Sequence, residues 1–185
     1  MFVHSAAFYD ALLDVNGAMR EVARARNPGV PLHETDVADF SLDARFDVVT
    51  CLVSSIAYVR TLGRRRSVVA AMHAHLRPGG VIVVEPWFTP ESYWTGTITA
   101  NHVDQPDLKI AWMYTSERER DRSVLDIHHL LGRPQGVERY RERHELGRFT
   151  REQHLAALRD VGLTPRYESD GLFDGRGLYV ARDGG

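Results

Sequence analysis

Hydrophobic and polar positions along the first two-thirds of the chain follow the pattern of an open α/β sheet. Residues 46–53 and 81–84 are apolar on both faces, which is typical of parallel strands buried between helices. Between them, apolar residues recur at helical spacing and predict a helix from about Leu62 to Arg77. Pro78-Gly79-Gly80 is expected to end that helix and to turn into the second strand. The pattern predicts a parallel sheet with helices packed on its faces.

Shorter segments near the amino end extend the same scheme. Leu12-Leu13 is interpreted as the end of a first strand, and Pro31 to Thr35 as a short second one. Asn16 can cap a helix that Asn27-Pro28-Gly29 ends. This part of the chain therefore also alternates strands with helices.

After Pro86 the hydrophobic period changes to two residues, which predicts half-exposed antiparallel strands. These strands are expected over Leu108–Tyr114, Leu125–Leu131 and Glu138–Leu146. We interpret them as an insertion at about 97–148 within a single domain, 1–185. A capping box at Thr150 then opens a last helix, and the parallel scheme is expected to resume with two closing strands, 163–169 and 177–182.

Charge and cysteine content narrow the class of protein. The 185 residues carry 23 Lys+Arg against 25 Asp+Glu, and this near-neutral balance argues against a nucleic-acid partner. Arg64-Arg65-Arg66 is interpreted as a solvated helix face. A lone Cys51, no apolar run long enough for a membrane span and no secretory signal at the start indicate a cytoplasmic protein without an internal disulfide.

Polar residues follow the ends of the predicted strands, where open α/β sheets bind their ligands. They are Asp14, Asp36, Ser54-Ser55 and Glu85. Carboxylates at such ends suit a cofactor with ribose hydroxyls and an adenine amine, although each alone is also explained as a turn or cap residue. The histidines lack metal-ligand spacing, so no metal site is expected, and Cys51 is interpreted as a packing residue.

Several stretches are similar to one enzyme family. The helix-to-strand junction at 76–87 resembles that of class I S-adenosylmethionine-dependent methyltransferases, and Phe46 to Tyr58 resembles the strand that follows their cofactor motifs. Residues 33–40 and 174–179 are similar to a subgroup, the N,N-dimethyltransferases of nucleotide-linked amino sugars in macrolide antibiotic biosynthesis. The resemblance extends from Asp14 to Arg182. It implies an α/β fold with the Rossmann-like methyltransferase sheet, incomplete at its first strands, and the antiparallel β insertion.

The resemblance also implies a cofactor, S-adenosylmethionine, and residues that hold it. Asp14 would bind the ribose hydroxyls, and Asp36 with the Val37 backbone would read the adenine edge. Ser54 and Ser55 would line the cofactor pocket.

For the acceptor, the resemblance implies a small molecule, most directly the amine of a nucleotide-linked amino sugar. Tyr58 would lie near that amine as the catalytic side chain. Glu85 and Trp87 would wall the acceptor pocket, and Arg176 would bind the phosphates of the sugar nucleotide. Ordinary packing for Tyr58 and Trp87, and an exposed turn for Arg176, are the alternatives. The insertion also offers a route to a homodimer.

One departure from the family concerns the glycine-rich loop after the first strand, which this sequence lacks. Leu12 to Val15 matches the end of that strand, while Asn16 to Met19 matches the start of the helix after the next one. A deletion of roughly one βα unit, about 30 residues, would explain this juxtaposition. The alternative hypothesis is therefore a truncated, non-catalytic relative that acts as a partner subunit or is a defective product. A nicotinamide-dependent oxidoreductase is a weaker alternative, because the glycine fingerprint of that class of enzyme is missing.

Overall fold

The computed structural model of the protein describes residues 12–13, 17–172 and 175–184, with side chains from Arg20 onward. Asp14 and Asn16 lie outside the described residues. Within these ranges no helix is both long and apolar enough to cross a membrane. A 3-10 helix covers Ser55–Val59. The other elements, in chain order, are β1 Leu12–Leu13, α1 Gly17–Arg26, β2 Leu32–His33, β3 Phe46–Cys51, α2 Leu62–Ala74, β4 Leu76–Val84, β5 Ile98–Gln105, β6 Leu108–Glu119, β7 Arg122–Arg133, β8 Gly136–Gly147, α3 Arg151–Arg159, β9 Thr164–Glu168 and β10 Leu178–Arg182.

The central sheet has the order β3-β4-β10-β9 and is mixed rather than parallel. β3 and β4 are parallel, as expected from the βαβ pattern. The two closing strands were predicted to continue the parallel scheme. β9 does run in the same direction as β3 and β4, but the prediction is wrong for β10, which pairs antiparallel with both β4 and β9. The reason is the short connection between β9 and β10, since a parallel pair requires a crossover of a dozen or more residues.

The core lies on one face of the central sheet. Ile82, Val84, Tyr179 and Ala181 are buried there against apolar side chains of α2 and α3. The prediction that β3 is buried on both faces is wrong, because Val48 on the opposite face is 54% exposed. In the described part of the chain β3 pairs with β4 alone, and the helices contacting the sheet, α2 and α3, pack on one side.

The predicted α2 is correct at its start but three residues too long. It ends at Ala74, and Pro78-Gly79-Gly80 lies inside β4 instead of ending the helix. These residues form an irregularity in the β3–β4 register, which passes from Phe46↔Leu76 directly to Val48↔Val81. Gly80 is required there, because a Cβ would lie 2.8 Å from the Arg77 carbonyl oxygen.

Arg65 corrects the interpretation of the arginine run as a solvated face. Its side chain is buried, donates to the Gln153 carbonyl and lies 5.2 Å over the Phe149 ring. Burial lowers the pKa of Arg65 to about 10. Beside it, His154 stacks on Tyr179 with ring centroids 4.5 Å apart. A polar stack therefore joins α2, α3 and β10 inside the core.

The predicted antiparallel strands are confirmed as β6, β7 and β8, which pair in chain order. A further strand, β5, precedes them and pairs with β6. This four-stranded sheet packs on the 3-10 helix through Ala57, Leu125 and Leu146. β1 and β2 form a separate parallel pair, as the short amino-terminal strands suggested.

We expect His154 to make the stability of the protein depend on pH as the pH falls below about 6.5. Burial lowers the pKa of His154 well below the ordinary histidine value of 6.5, with the Arg65 charge as the second cause. The unfolded state therefore takes up the proton first, and stability is fully present above pH 6.5 and lost below it. His154→Phe keeps the ring stack and should remove about 1.4 kcal/mol of acid destabilisation per pH unit.

Urea unfolding at a series of pH values measures this difference. His102→Gln, at an exposed position on β5, is the matched control and should unfold like the unmodified protein at each pH. Parallel pH profiles for the unmodified protein and His154→Phe would contradict the assignment of a neutral buried imidazole.

Candidate functional site

The carboxyl ends of β3 and β4 meet in register, with Cys51 opposite Val84. Glu85 follows β4 directly, and its backbone N–H donates to the Cys51 carbonyl oxygen at 2.9 Å. Its carboxylate is wholly buried and turns back toward the segment after β3, where Oε2 accepts from the Val53 N–H at 2.6 Å. One buried carboxylate therefore connects the two strand ends.

The segment after β3 has an unusual backbone. Val53 and Ser54 both have positive φ, 54° and 58°, which is rare for non-glycine residues and strained for a β-branched one. The Glu85 contact stabilises the first of these residues, and the Ser54 hydroxyl donates to the Pro86 carbonyl at 2.7 Å. This turn directs the chain into the 3-10 helix that carries Tyr58.

Arg176 joins the carboxyl-terminal part of the chain to the same turn. Its guanidinium donates to the Ser54 hydroxyl at 2.8 Å and lies 3.2 Å from Glu85 Oε1. The Arg176 side chain is 14% exposed, so this ion pair is largely shielded from water. Ser54, Glu85 and Arg176 thus form one polar cluster at the carboxyl edge of the sheet.

Tyr58 connects this edge to the antiparallel sheet. Its side chain is about half exposed, and its hydroxyl lies 2.7 Å from Nδ1 of His144 on β8. Partial burial, followed by the negative charge of Glu142, raises the pKa of Tyr58. The phenol therefore remains protonated at neutral pH and can act as a hydrogen-bond donor.

Trp87 forms another contact with the antiparallel sheet. Its indole N–H donates to the Ser123 hydroxyl on β7 at 3.1 Å, and Ser123 is fully buried. The ring packs against the small apolar cluster of Ala57, Leu125 and Leu146. Aromatic side chains also surround it, with Phe88, Tyr93 and Trp94 in successive edge or tilted contacts. Trp87 and these side chains therefore form a hydrophobic wall against the antiparallel sheet.

Asp36 lies on the loop after β2 and contacts a different element. Its carboxylate accepts from the Ala38 N–H at 2.8 Å and pairs with Arg64 on α2. The Ala38 hydrogen bond, followed by Arg64, lowers the pKa of Asp36, so the group is ionised at neutral pH. Neighbouring Val37 packs against the main core, whereas Ser55 is exposed at the start of the 3-10 helix.

Of the residues that the sequence singled out, Ser54, Glu85 and Arg176 contact one another, and Tyr58 and Trp87 both contact the antiparallel sheet. Asp36 and Val37 lie on the separate loop after β2, and Asp14 falls outside the described residues. Sequence reasoning did not select His144 or Ser123. The available signal for His144 was the two-residue alternation that places it on the same face of β8 as buried Leu146.

Comparison with known proteins gives this arrangement its context. Residues 8–80 match the family described as Methyltransferase domain. The chain is 38% identical over 168 residues to the dTDP-4-amino-2,3,4,6-tetradeoxy-D-glucose N,N-dimethyltransferase of Saccharopolyspora spinosa, covering 91% of this chain and 67% of that protein. The dTDP-3-amino-3,6-dideoxy-alpha-D-glucopyranose N,N-dimethyltransferase of Streptomyces fradiae is 35% identical to this chain. That match covers 93% of this chain and 68% of that protein.

A comparison with solved structures finds the same kind of protein. The sugar N-methyltransferase KedS8 from Streptoalloteichus superposes with a TM-score of 0.86 at 33% identity, over 93% of this chain and 70% of that one. The chain belongs to the S-adenosylmethionine-dependent methyltransferase family of amino sugar N-methyltransferases. The α/β fold with a Rossmann-like methyltransferase sheet is thereby confirmed, and the chain spans about two thirds of the length of these relatives.

We expect the Glu85–Arg176 pair to be energetically coupled far more strongly than a surface ion pair. A double-mutant cycle with Glu85→Gln and Arg176→Met should give a coupling free energy of about 2 kcal/mol, because breaking a buried pair leaves a desolvated charge behind. Arg166 and Glu168 lie 2.7 Å apart on exposed β9 and form the control pair, expected at about 0.5 kcal/mol. Urea unfolding measures both cycles, and equal coupling energies would contradict the strong coupling expected for the Glu85–Arg176 pair.

Proposed function

We propose that this chain methylates the amine of a nucleotide-linked amino sugar, with S-adenosylmethionine as the methyl donor. The observation that carries the proposal is the identity of 34–38% to three dTDP-amino sugar N,N-dimethyltransferases over more than nine-tenths of this chain. A second support is the described site, where polar groups at the carboxyl edge of the sheet meet a hydrophobic wall. The alternative of a non-catalytic partner subunit has no comparable support.

The described donor set is compatible with the adenosine part of the cofactor. Asp36 offers an ionised, half-exposed carboxylate beside the Val37 and Ala38 backbone, which suits the exocyclic amine of adenine. Ser55 adds an exposed side chain at the amino end of the 3-10 helix. Ser54 would line the pocket without a hydrogen bond to the cofactor, because its hydroxyl already donates to the Pro86 carbonyl and accepts from Arg176. Asp14, proposed for the ribose hydroxyls, lies outside the described residues.

For the acceptor, we assign Tyr58 to the amine and Trp87 to the pocket wall. Arg176 remains the candidate for binding the diphosphate. To do so, its guanidinium would give up part of its contact with the Ser54 hydroxyl. Glu85 is wholly buried, so its contribution is to position Arg176 and the Val53–Ser54 turn rather than to touch the sugar. A cationic guanidinium at the edge of the site is the group that suits a diphosphate best.

The reaction demands orientation more than a specialised side chain. S-adenosylmethionine supplies an activated sulfonium methyl group, so neither a metal nor a nucleophilic residue is required. The Tyr58 hydroxyl would hold the amine by a hydrogen bond. The lone pair of the amine nitrogen would then be directed at the methyl donor. Trp87 and the apolar cluster behind it would exclude water. Such orientation is worth roughly 7–11 kcal/mol in intramolecular reactions.

We also propose a homodimer through the antiparallel sheet. Ile98, Met113, Leu130 and Val137 share the face of this sheet opposite to the Tyr114–Ile127 side, and each is more than half exposed. Contiguous exposed apolar side chains on a sheet face favour a protein interface, and a second copy is the simplest occupant. A cytoplasmic location is proposed with it, supported by a lone buried cysteine whose thiol pKa burial raises to about 12.

Isothermal titration with S-adenosylmethionine tests the cofactor assignment. We expect saturable heat, and Asp36→Asn should weaken binding about tenfold or more because it removes a charge-assisted hydrogen bond. Asp47→Asn is the control, since Asp47 is also exposed and paired with an arginine, Arg77, at 2.7 Å. No heat at millimolar cofactor would exclude the enzyme function, and no methylation of any dTDP-amino sugar despite cofactor binding would exclude the substrate class.

Sedimentation velocity tests the homodimer. The unmodified protein should sediment as a dimer at micromolar concentration, and Val137→Lys should shift it toward monomer by placing a charge on the apolar face. Val22→Lys substitutes an exposed valine on α1 and should leave the dimer intact. A monomer for the unmodified protein would rule out the interface.

A further inference from the structure

We propose that His144 is a positioning residue and proton acceptor that acts on the methyl-accepting amine through Tyr58. The inference rests on the proposed function and deepens it. Its basis is the contact between the Tyr58 hydroxyl and Nδ1 of His144, 2.7 Å long and made between residues 86 positions apart in the chain. The two rings meet edge to face with centroids 6.0 Å apart.

The direction of this hydrogen bond follows from the chemistry of the two groups. Tyr58 is a protonated phenol, because partial burial and the Glu142 charge disfavour the phenolate. When the phenol donates, Nδ1 of the imidazole accepts, and the ring proton of neutral His144 must then reside on Nε2. That Nε2 lies 3.4 Å from Glu142 Oε2, so a carboxylate is placed to favour the Nε2–H tautomer.

A proton can leave the acceptor amine along this pair. The Oη–H bond of Tyr58 breaks as an Nδ1–H bond forms on His144, and an N–H bond of the sugar ammonium breaks as Tyr58 regains its proton. The products are a neutral amine, an intact phenol and an imidazolium whose charge Glu142 stabilises. Since His144 is 29% exposed, its extra proton can pass to solvent.

The other charged groups near His144 do not replace this role. Glu142 and Glu145 are on its own strand, and Glu145 pairs instead with Arg60 and Arg122. His129 on β7 lies 3.4 Å from the same Glu142 oxygen and thereby shares that carboxylate. Arg60 follows the 3-10 helix and is directed to Glu145. Among these groups, Tyr58 is the one in short contact with Nδ1.

The pH dependence of methyl transfer distinguishes a proton acceptor from a merely structural contact. With dTDP-amino sugar as substrate, His144→Gln should lower kcat/KM about 100-fold near neutral pH, where the free amine is scarce. The loss should shrink to a few-fold in alkaline solution, where the amine is already deprotonated. Tyr58→Phe should reproduce this profile, and the double variant should lose no more than either single variant, as expected for residues that act as a unit.

Two controls accompany these variants. His128→Gln, on the opposite face of β7, should leave the profile unchanged. Nitrogen-15 NMR of the imidazoles should show His144 as the Nε2–H tautomer in the unmodified protein and a mixture of tautomers in Tyr58→Phe, whether or not the substrate is turned over.

The outcomes separate the two hypotheses. A loss of equal size at every pH, or an Nδ1–H tautomer, would overturn the relay while leaving the methyltransferase function in place. If the unmodified protein binds S-adenosylmethionine but methylates no dTDP-amino sugar at any pH, the proposed function itself fails and the relay fails with it.

Discussion

The site depends on the burial of one carboxylate, Glu85. It accepts from the Val53 N–H and pairs with Arg176, so it holds in place a turn whose two left-handed residues would otherwise be unfavourable. That turn sets the start of the 3-10 helix, and through it the direction of Tyr58. The desolvation cost of a buried carboxylate is offset only while both partners remain, which makes the edge of the sheet rigid but intolerant of single changes.

The second organising contact is the packing of the antiparallel sheet onto this rigid edge. Ala57 packs with Leu125 and Leu146, and the Trp87 indole donates a hydrogen bond to Ser123. These contacts are few compared with the main core around α2 and α3. The cofactor side of the proposed site is therefore built on the main core, while the acceptor side depends on a smaller interface.

The sequence predicted most of the elements because their periodicity is local, and it failed where partners are distant. The alternation of hydrophobic and polar residues that predicted β6 to β8 is visible within each strand. The antiparallel direction of β10, in contrast, depends on its pairing with β4 and β9. Arg65 was misread because its run of arginines looks solvated until α3 packs over it. Likewise, Ser54 and Glu85 were selected as pocket residues, but their contact with Arg176 is a tertiary fact.

The span between Tyr58 and His144 has an evolutionary consequence. Tyr58 is on the 3-10 helix that follows β3, and His144 is on β8, so the distance between them depends on how the antiparallel sheet packs on that helix through Ala57, Leu125 and Leu146. That interface is a cluster separate from the main core around α2 and α3. The relatives named above act on sugars aminated at carbon 3 or carbon 4. Because the two clusters are separate, substitutions in the smaller one can alter the proposed acceptor side while the main core, which carries the proposed cofactor side, stays the same.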